Sequence, residues 1–166
     1  MMTRVEAAAG VAPDAARRLG ALGVVVPEDA ERLWQRLRLT NAEHARLAAM
    51  GEHWREMSPV HGEQAARAAL YRLKPEHYVD CTLLAWARSQ ASAHDAAWRA
   101  LATLPQRWTA PVFPLKAADF MARGVPKGPA LGAALRAAEA AWIEAGFPMD
   151  GAALARIAAR LAHGPA

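Results

Sequence analysis

The residues best suited to chemistry lie in the stretch 111–147, where glycines recur at every fourth position among prolines and cations. Gly124, Gly128 and Gly132 form the repeat, and Pro129 falls where the first turn of a helix would begin. Glycine lets a backbone approach a partner closely, and proline suits a first helical turn because its missing N–H needs no partner there. The free N–H groups of that turn favour an anion. The pattern therefore predicts a loop-to-helix site for a phosphate group.

Positive charge surrounds this loop, as a phosphate site requires. The predicted site comprises the cations and glycines of the stretch: Lys116, Arg123, Gly124, Lys127, Gly128, Gly132 and Arg136. Glycines and prolines in this number also suit a tight turn between two helices with no ligand at all. The residues by themselves leave both interpretations open.

The same stretch resembles the tail of bacterial CCA-adding tRNA nucleotidyltransferases and of the related poly(A) polymerases. Those proteins typically read F-P-L-x-G-x-D-L-x-x-x-G-x-x-x-G-P-x-x-G-x-x-L there. The matching positions are Phe113, Pro114, Leu115, Asp119, Gly124, Gly128, Pro129, Gly132 and Leu135. Ala117 and Phe120 depart from the usual glycine and leucine. A weaker resemblance begins at Leu33. As a whole, the resemblance implies a helical region that holds tRNA during processing of its 3′ end.

The catalytic head of that family has no counterpart in these residues. It needs a Gly-Ser loop for the triphosphate and paired aspartates for two metal ions, without which two-metal phosphoryl transfer cannot proceed. Neither a Gly-Ser dipeptide nor an Asp-x-Asp motif occurs in the 166 residues. We therefore expect a tRNA-binding region that needs no cofactor and is not catalytic by itself. A separate nucleotidyltransferase head is then a possible partner.

Two other stretches of the sequence suggest rival kinds of chemistry. His94-Asp95 is a His-Asp dipeptide, as metal-dependent phosphohydrolases have, but a single dipeptide is a weak signal and Asp95 suits a helix cap equally well. Cys81 lies in an apolar pattern that favours a small core residue over a nucleophile. A helical protein-interaction module is the main alternative to tRNA binding.

The composition predicts an all-α protein. Hydrophobic residues make up 54% of the chain, and much of that share is alanine, which favours closely packed helices. The net charge of +4 permits a nucleic-acid partner without demanding one. One cysteine excludes an internal disulfide and fits a reducing cytoplasm, and we expect no membrane-spanning segment.

The apolar periodicity predicts a helical bundle, the body, over residues 1–104 and a helical tail over 105–166 that contains the glycine loop. A Pro-rich irregular stretch, 104–116, joins them. Residues 1–12 have no firm pattern. The capping box Thr40-x-x-Glu43 and the caps Asp95 and Asp150 each predict a helix start. We also expect one helix to end before Pro75 and Glu28 to pair with Arg32 at i, i+4.

Overall fold

The computed structural model describes residues 1–162, and within that range the secondary structure is entirely helical, which confirms the all-α prediction. Two short 3₁₀ turns, Trp54–Glu56 and Pro59–His61, accompany the α-helices. The α-helices are α1 (Met2–Ala9), α2 (Ala15–Gly23), α3 (Pro27–Leu37), α4 (Asn41–His53), α5 (Gly62–Arg88), α6 (Ala96–Ala102), α7 (Leu104–Arg107), α8 (Ala117–Met121), α9 (Pro129–Glu144) and α10 (Gly151–Ala162). Residues 163–166 of the predicted tail lie outside the described range.

The chain divides into two compact units, one spanning Met1–Ala110 and a second that begins at Pro111. This division falls a few residues after the end of the body predicted from sequence. The stretch predicted to be irregular begins with the short helix α7, and Trp108 just after it packs against the core of the first unit.

The caps that the sequence predicts are present. The Thr40 hydroxyl accepts from the backbone N–H of Glu43 at 3.3 Å, and the Glu43 carboxylate accepts from the N–H of Thr40 at 2.8 Å. Asp95 and Asp150 accept from the first-turn N–H groups of α6 and α10. Each cap satisfies backbone donors that the helix itself leaves without a partner.

The sequence does not predict helix α1, and Arg32 has a different partner from the one predicted. Residues 2–9 form helix α1, whose Met2, Val5 and Ala9 are buried in the core of the first unit. A helix of this length is too short for apolar periodicity to stand out, and packing rather than propensity stabilises it. Arg32 pairs with Asp29 at 2.8 Å, three residues before it, rather than with Glu28 four residues before it.

Helix α5 contains a break where the sequence predicts a helix end. Lys74 has non-helical backbone angles, with φ at 65° and ψ at 161°, and Pro75 follows it. A proline disfavours the helical conformation of the residue before it and cannot donate to the helix. The chain nevertheless resumes its helix at Pro75 and continues to Arg88.

A network of buried charges joins four helices of the first unit. Asp80 of α5 is fully buried and accepts from Arg17 Nε of α2 at 2.9 Å, and from Arg46 Nε and Nη2 of α4 at 2.7 and 3.1 Å. Glu6 of α1 accepts from Arg17 at 3.0 Å and from Arg18 at 3.0 Å. Buried carboxylates need such partners because the loss of hydration would otherwise destabilise them.

The same network perturbs its titratable groups. The hydrogen bonds that the Arg46 guanidinium donates to the Asp80 carboxylate raise the pKa of Arg46. Partial burial acts to raise the pKa of Asp14, but the N–H of Arg17 and the Arg46 guanidinium outweigh it and lower that pKa. Both shifts favour the charged forms of Arg46 and Asp14.

The second unit has its own small core. Phe120, Val125, Ala138 and Ala158 are buried together. Trp142 is also buried, and its indole N–H donates to the Pro148 carbonyl at 2.8 Å. This core holds α8, α9 and α10 around the glycine loop.

None of the helices within residues 1–162 combines the length and apolar character that crossing a bilayer requires.

Candidate nucleic-acid interface

The glycine loop begins at a tight turn that ends α8. Gly124 has φ at 89°, in the region that favours glycine, and the N–H of Val125 donates to the carbonyl of Phe120 at 3.1 Å. This six-to-one bond closes the helix end, and the buried side chains of Val125 and Phe120 anchor it. The loop therefore leaves the core of the second unit in a defined direction.

The non-helical part of the predicted loop Gly124–Gly132 ends at Gly128, and the rest of that segment is the first turn of α9. The φ of Gly128 is 119° and its ψ is −152°, a conformation essentially restricted to glycine. A Cβ added at Gly128 or at Gly124 would meet no atom within 4 Å, so both glycines face open space. Pro129 occupies the first helical turn as predicted, and no side chain caps α9. The free N–H groups of this turn are thus accessible to an anion.

The predicted cations lie on both sides of this helix start, but they are not equivalent. Lys116, Lys127 and Arg136 are exposed, and the described part of the chain offers no ion-pair partner to any of them. Arg123 is exposed as well, yet its guanidinium donates to the Asp119 carbonyl. Lys127 and Arg136 are therefore more available to a ligand than Arg123 is.

Gly132 has a different role from the other two glycines. A Cβ placed there would lie 3.4 Å from Nη1 of Arg136, so the arginine side chain folds back over this turn of α9. Gly132 leaves room for that side chain, and the fold directs the guanidinium toward the start of the helix. Spacing alone did not reveal this relation.

The surroundings of the loop contain little negative charge. Residues 120–138 include Arg123, Lys127 and Arg136 but no Asp or Glu. Asp119 and Glu139 lie just outside this range, and the Asp119 carboxylate accepts from the N–H of Lys116 at 2.7 Å, as a helix cap does. The segment is therefore locally cationic, which suits a phosphate more than a metal ion.

Comparison with known proteins gives a partial match to a protein whose function is not defined. The chain is 39% identical over 84 residues to the "uncharacterized 28 kDa protein in petA 5′ region" of Rhodospirillum rubrum. The match covers 47% of this chain and 32% of that protein, so the chain spans about a third of that relative's length. No family model matches the sequence, and no solved structure matches it.

The geometry of the rival sites differs from what their chemistry needs. The Asp95 carboxylate accepts from the N–H groups of Ala97 and Trp98 at 2.9 and 3.0 Å, and His94 beside it is exposed. Within residues 1–162, no group of three or more His, Cys, Asp or Glu side chains is arranged to hold a metal ion. Burial raises the pKa of the Cys81 thiol to about 12, so at neutral pH it is a thiol and a weak nucleophile.

Proposed function

We propose that the chain binds tRNA through the loop Gly124–Gly132, as the C-terminal part of a CCA-adding tRNA nucleotidyltransferase or poly(A) polymerase does. The observation that carries the proposal is the uncapped start of α9, which two open glycines and Lys127 surround. The sequence resemblance in the same residues supports it. The phosphoryl-transfer chemistry would come from a nucleotidyltransferase head, and tRNA as partner favours the cytoplasm.

The mechanism of binding follows from this geometry. A phosphate of the tRNA backbone accepts from the first-turn N–H groups of α9, and Lys127 and Arg136 provide charge. Gly128 has no side chain to keep the backbone away from the ligand. Such contacts recognise the shape of structured RNA rather than its sequence, because the deep groove of an RNA helix hides the bases.

Lys127→Ala is expected to weaken binding about equally for different tRNAs and to reduce the salt dependence of binding by roughly one phosphate contact. The measurement is tRNA affinity at two salt concentrations. Lys74→Ala is the matched control. This variant also removes one positive charge from an exposed lysine, but Lys74 belongs to the first unit. Equal affinity and equal salt dependence in the Lys127→Ala and parent proteins would contradict the proposal.

Gly128→Val is expected to weaken tRNA binding more than Lys127→Ala does. The added side chain would occupy the open space before α9 and strain the backbone by about 1–3 kcal/mol. Gly62→Val is the control, since Gly62 has φ at 78°, also faces open space and also begins a helix. Both variants need a native circular dichroism spectrum before affinity is compared. Unchanged tRNA binding by folded Gly128→Val would show that the loop is simply a turn.

A protein-interaction module remains the second candidate, and one observation favours it. Leu22 is 88% exposed, and Val25 nearby is 48% exposed, so apolar surface is available at the junction of α2 and α3. If the parent protein binds no tRNA at low salt but does associate with a nucleotidyltransferase head, this second function replaces the first.

A further inference from the structure

A groove in the first unit, far along the chain from the glycine loop, has the chemistry of a nucleotide site. It lies between α1 and the segment that leads into α6, and its volume is about 720 Å³. This size falls within the range of sites that bind small organic molecules. Arg4 of α1 and Arg99 of α6 line it, together with His94 from the connecting loop.

The charged side chains of the groove are free to bind a ligand. Arg4, Arg99 and His94 are all exposed, and none has a side-chain hydrogen bond or ion pair within residues 1–162. No carboxylate lines the groove. Glu6, the acid of α1, is instead buried and paired with Arg17 and Arg18. Two unpaired guanidinium groups without a competing acid are suited to bind a phosphate group.

The segment that presents His94 is held in place by the core. The indole N–H of Trp86, a fully buried residue, donates to the Ser92 carbonyl at 3.0 Å. The Ser92 hydroxyl accepts from the N–H of His94 at 3.1 Å, and Asp95 then caps α6. A ligand that binds here therefore meets a wall that is already ordered, which lowers the entropic cost of binding.

The remaining walls are apolar. Ala7 and Ala8 lie on the α1 side, and Ala93 lies on the opposite side. Small side chains leave a smooth surface for a flat ring, and an imidazole ring such as that of His94 can stack on a base. We propose that this groove binds the phosphate and base of a nucleotide, with the phosphate against Arg4 and Arg99. The proposal concerns the first unit and does not depend on tRNA binding by the glycine loop.

The test uses the whole chain and measures binding of ATP and of inorganic pyrophosphate by calorimetry. We expect ATP to bind, pyrophosphate to bind more weakly, and the double variant Arg4→Gln/Arg99→Gln to lose about tenfold or more in ATP affinity. The control is Arg36→Gln/Arg38→Gln, which removes two exposed arginines of α3 and its C-cap and should leave ATP affinity within about twofold.

Three results would overturn the proposal. The first is the absence of ATP binding to the parent protein at millimolar concentration. The second is unchanged ATP affinity in a folded Arg4→Gln/Arg99→Gln protein. The third is pyrophosphate binding as tightly as ATP, because the walls would then contribute nothing to recognition. If ATP binds as expected, a competition experiment with oligoadenylate identifies the source of the phosphate. Displacement of ATP indicates that the groove binds an RNA chain, and no displacement indicates that it binds a free nucleotide. Both outcomes agree with the proposed site.

Discussion

Asp80→Ala is expected to lower the free energy of unfolding of the first unit by about 3 kcal/mol. Removing one partner of a buried ion pair typically costs about 3–5 kcal/mol, because the remaining charge loses its partner without regaining water. Arg17 keeps Glu6 and Arg46 keeps Asp14 after the change, so the lower end of that range applies. Urea unfolding followed by tryptophan fluorescence measures the loss, since five of the six tryptophans lie in the first unit, leaving Trp142 in the second.

Two further variants separate charge from packing. Glu63→Ala removes the carboxylate of an exposed pair with Arg67 and should cost at most about 1 kcal/mol. Asp80→Asn keeps the size of the side chain but places an amide NH₂ among guanidinium donors, so it should cause most of the loss seen with Asp80→Ala. If Asp80→Asn is as stable as the parent protein, the role of Asp80 is packing rather than charge.

Gly51→Ala is expected to lower the free energy of unfolding by about 1–3 kcal/mol. A Cβ at this position of α4 would lie 2.7 Å from the backbone carbon and oxygen of Val26 and 2.8 Å from the nitrogen of Pro27. Alanine favours a helix over glycine by up to about 1 kcal/mol, but backbone atoms cannot move aside cheaply. The overlap therefore outweighs the gain in helix propensity. The loss is measured by the same urea titration.

Gly20→Ala is the matched control for Gly51→Ala. Gly20 also lies in a helix and is also buried, and a Cβ there would lie 2.6 Å from Cε of Met50. That atom is the end of a flexible side chain, which can move to another rotamer. We expect the stability of Gly20→Ala to stay within about 1 kcal/mol of the parent protein. A larger loss in Gly20→Ala than in Gly51→Ala would contradict the distinction between the two contacts.

Local signals predicted much of the fold. The sequence predicts the caps Thr40 with Glu43, Asp95 and Asp150 because a cap is a contact within one turn of the chain. It predicts Pro129 in the first turn of α9 for the same reason. These interactions depend on neighbouring residues alone, so the sequence is sufficient to find them.

The buried charges could not be predicted in this way. Asp80 lies between apolar residues of α5, and an acid in a helix usually faces water. Its partners Arg17 and Arg46 are far away in sequence, and nothing in the local pattern pairs them. The same limit applies to the candidate site, where the sequence identified Arg123 and Arg136 by charge. Arg123 donates back to Asp119 of the preceding helix α8, and Arg136 folds over Gly132; both contacts depend on side-chain conformations.

The long sequence separations within the Asp80 network have a consequence for the order of folding. Asp80 meets Arg17 across 63 positions and Arg46 across 34, so α2, α4 and α5 must all be in place before its carboxylate gains its partners. Contacts that close such long loops tend to form after the rate-limiting step unless they belong to the folding nucleus. A change at Asp80 should then leave the refolding rate almost unaltered and accelerate unfolding instead. The network would then form late in folding, and its contacts would set the unfolding rate of the first unit.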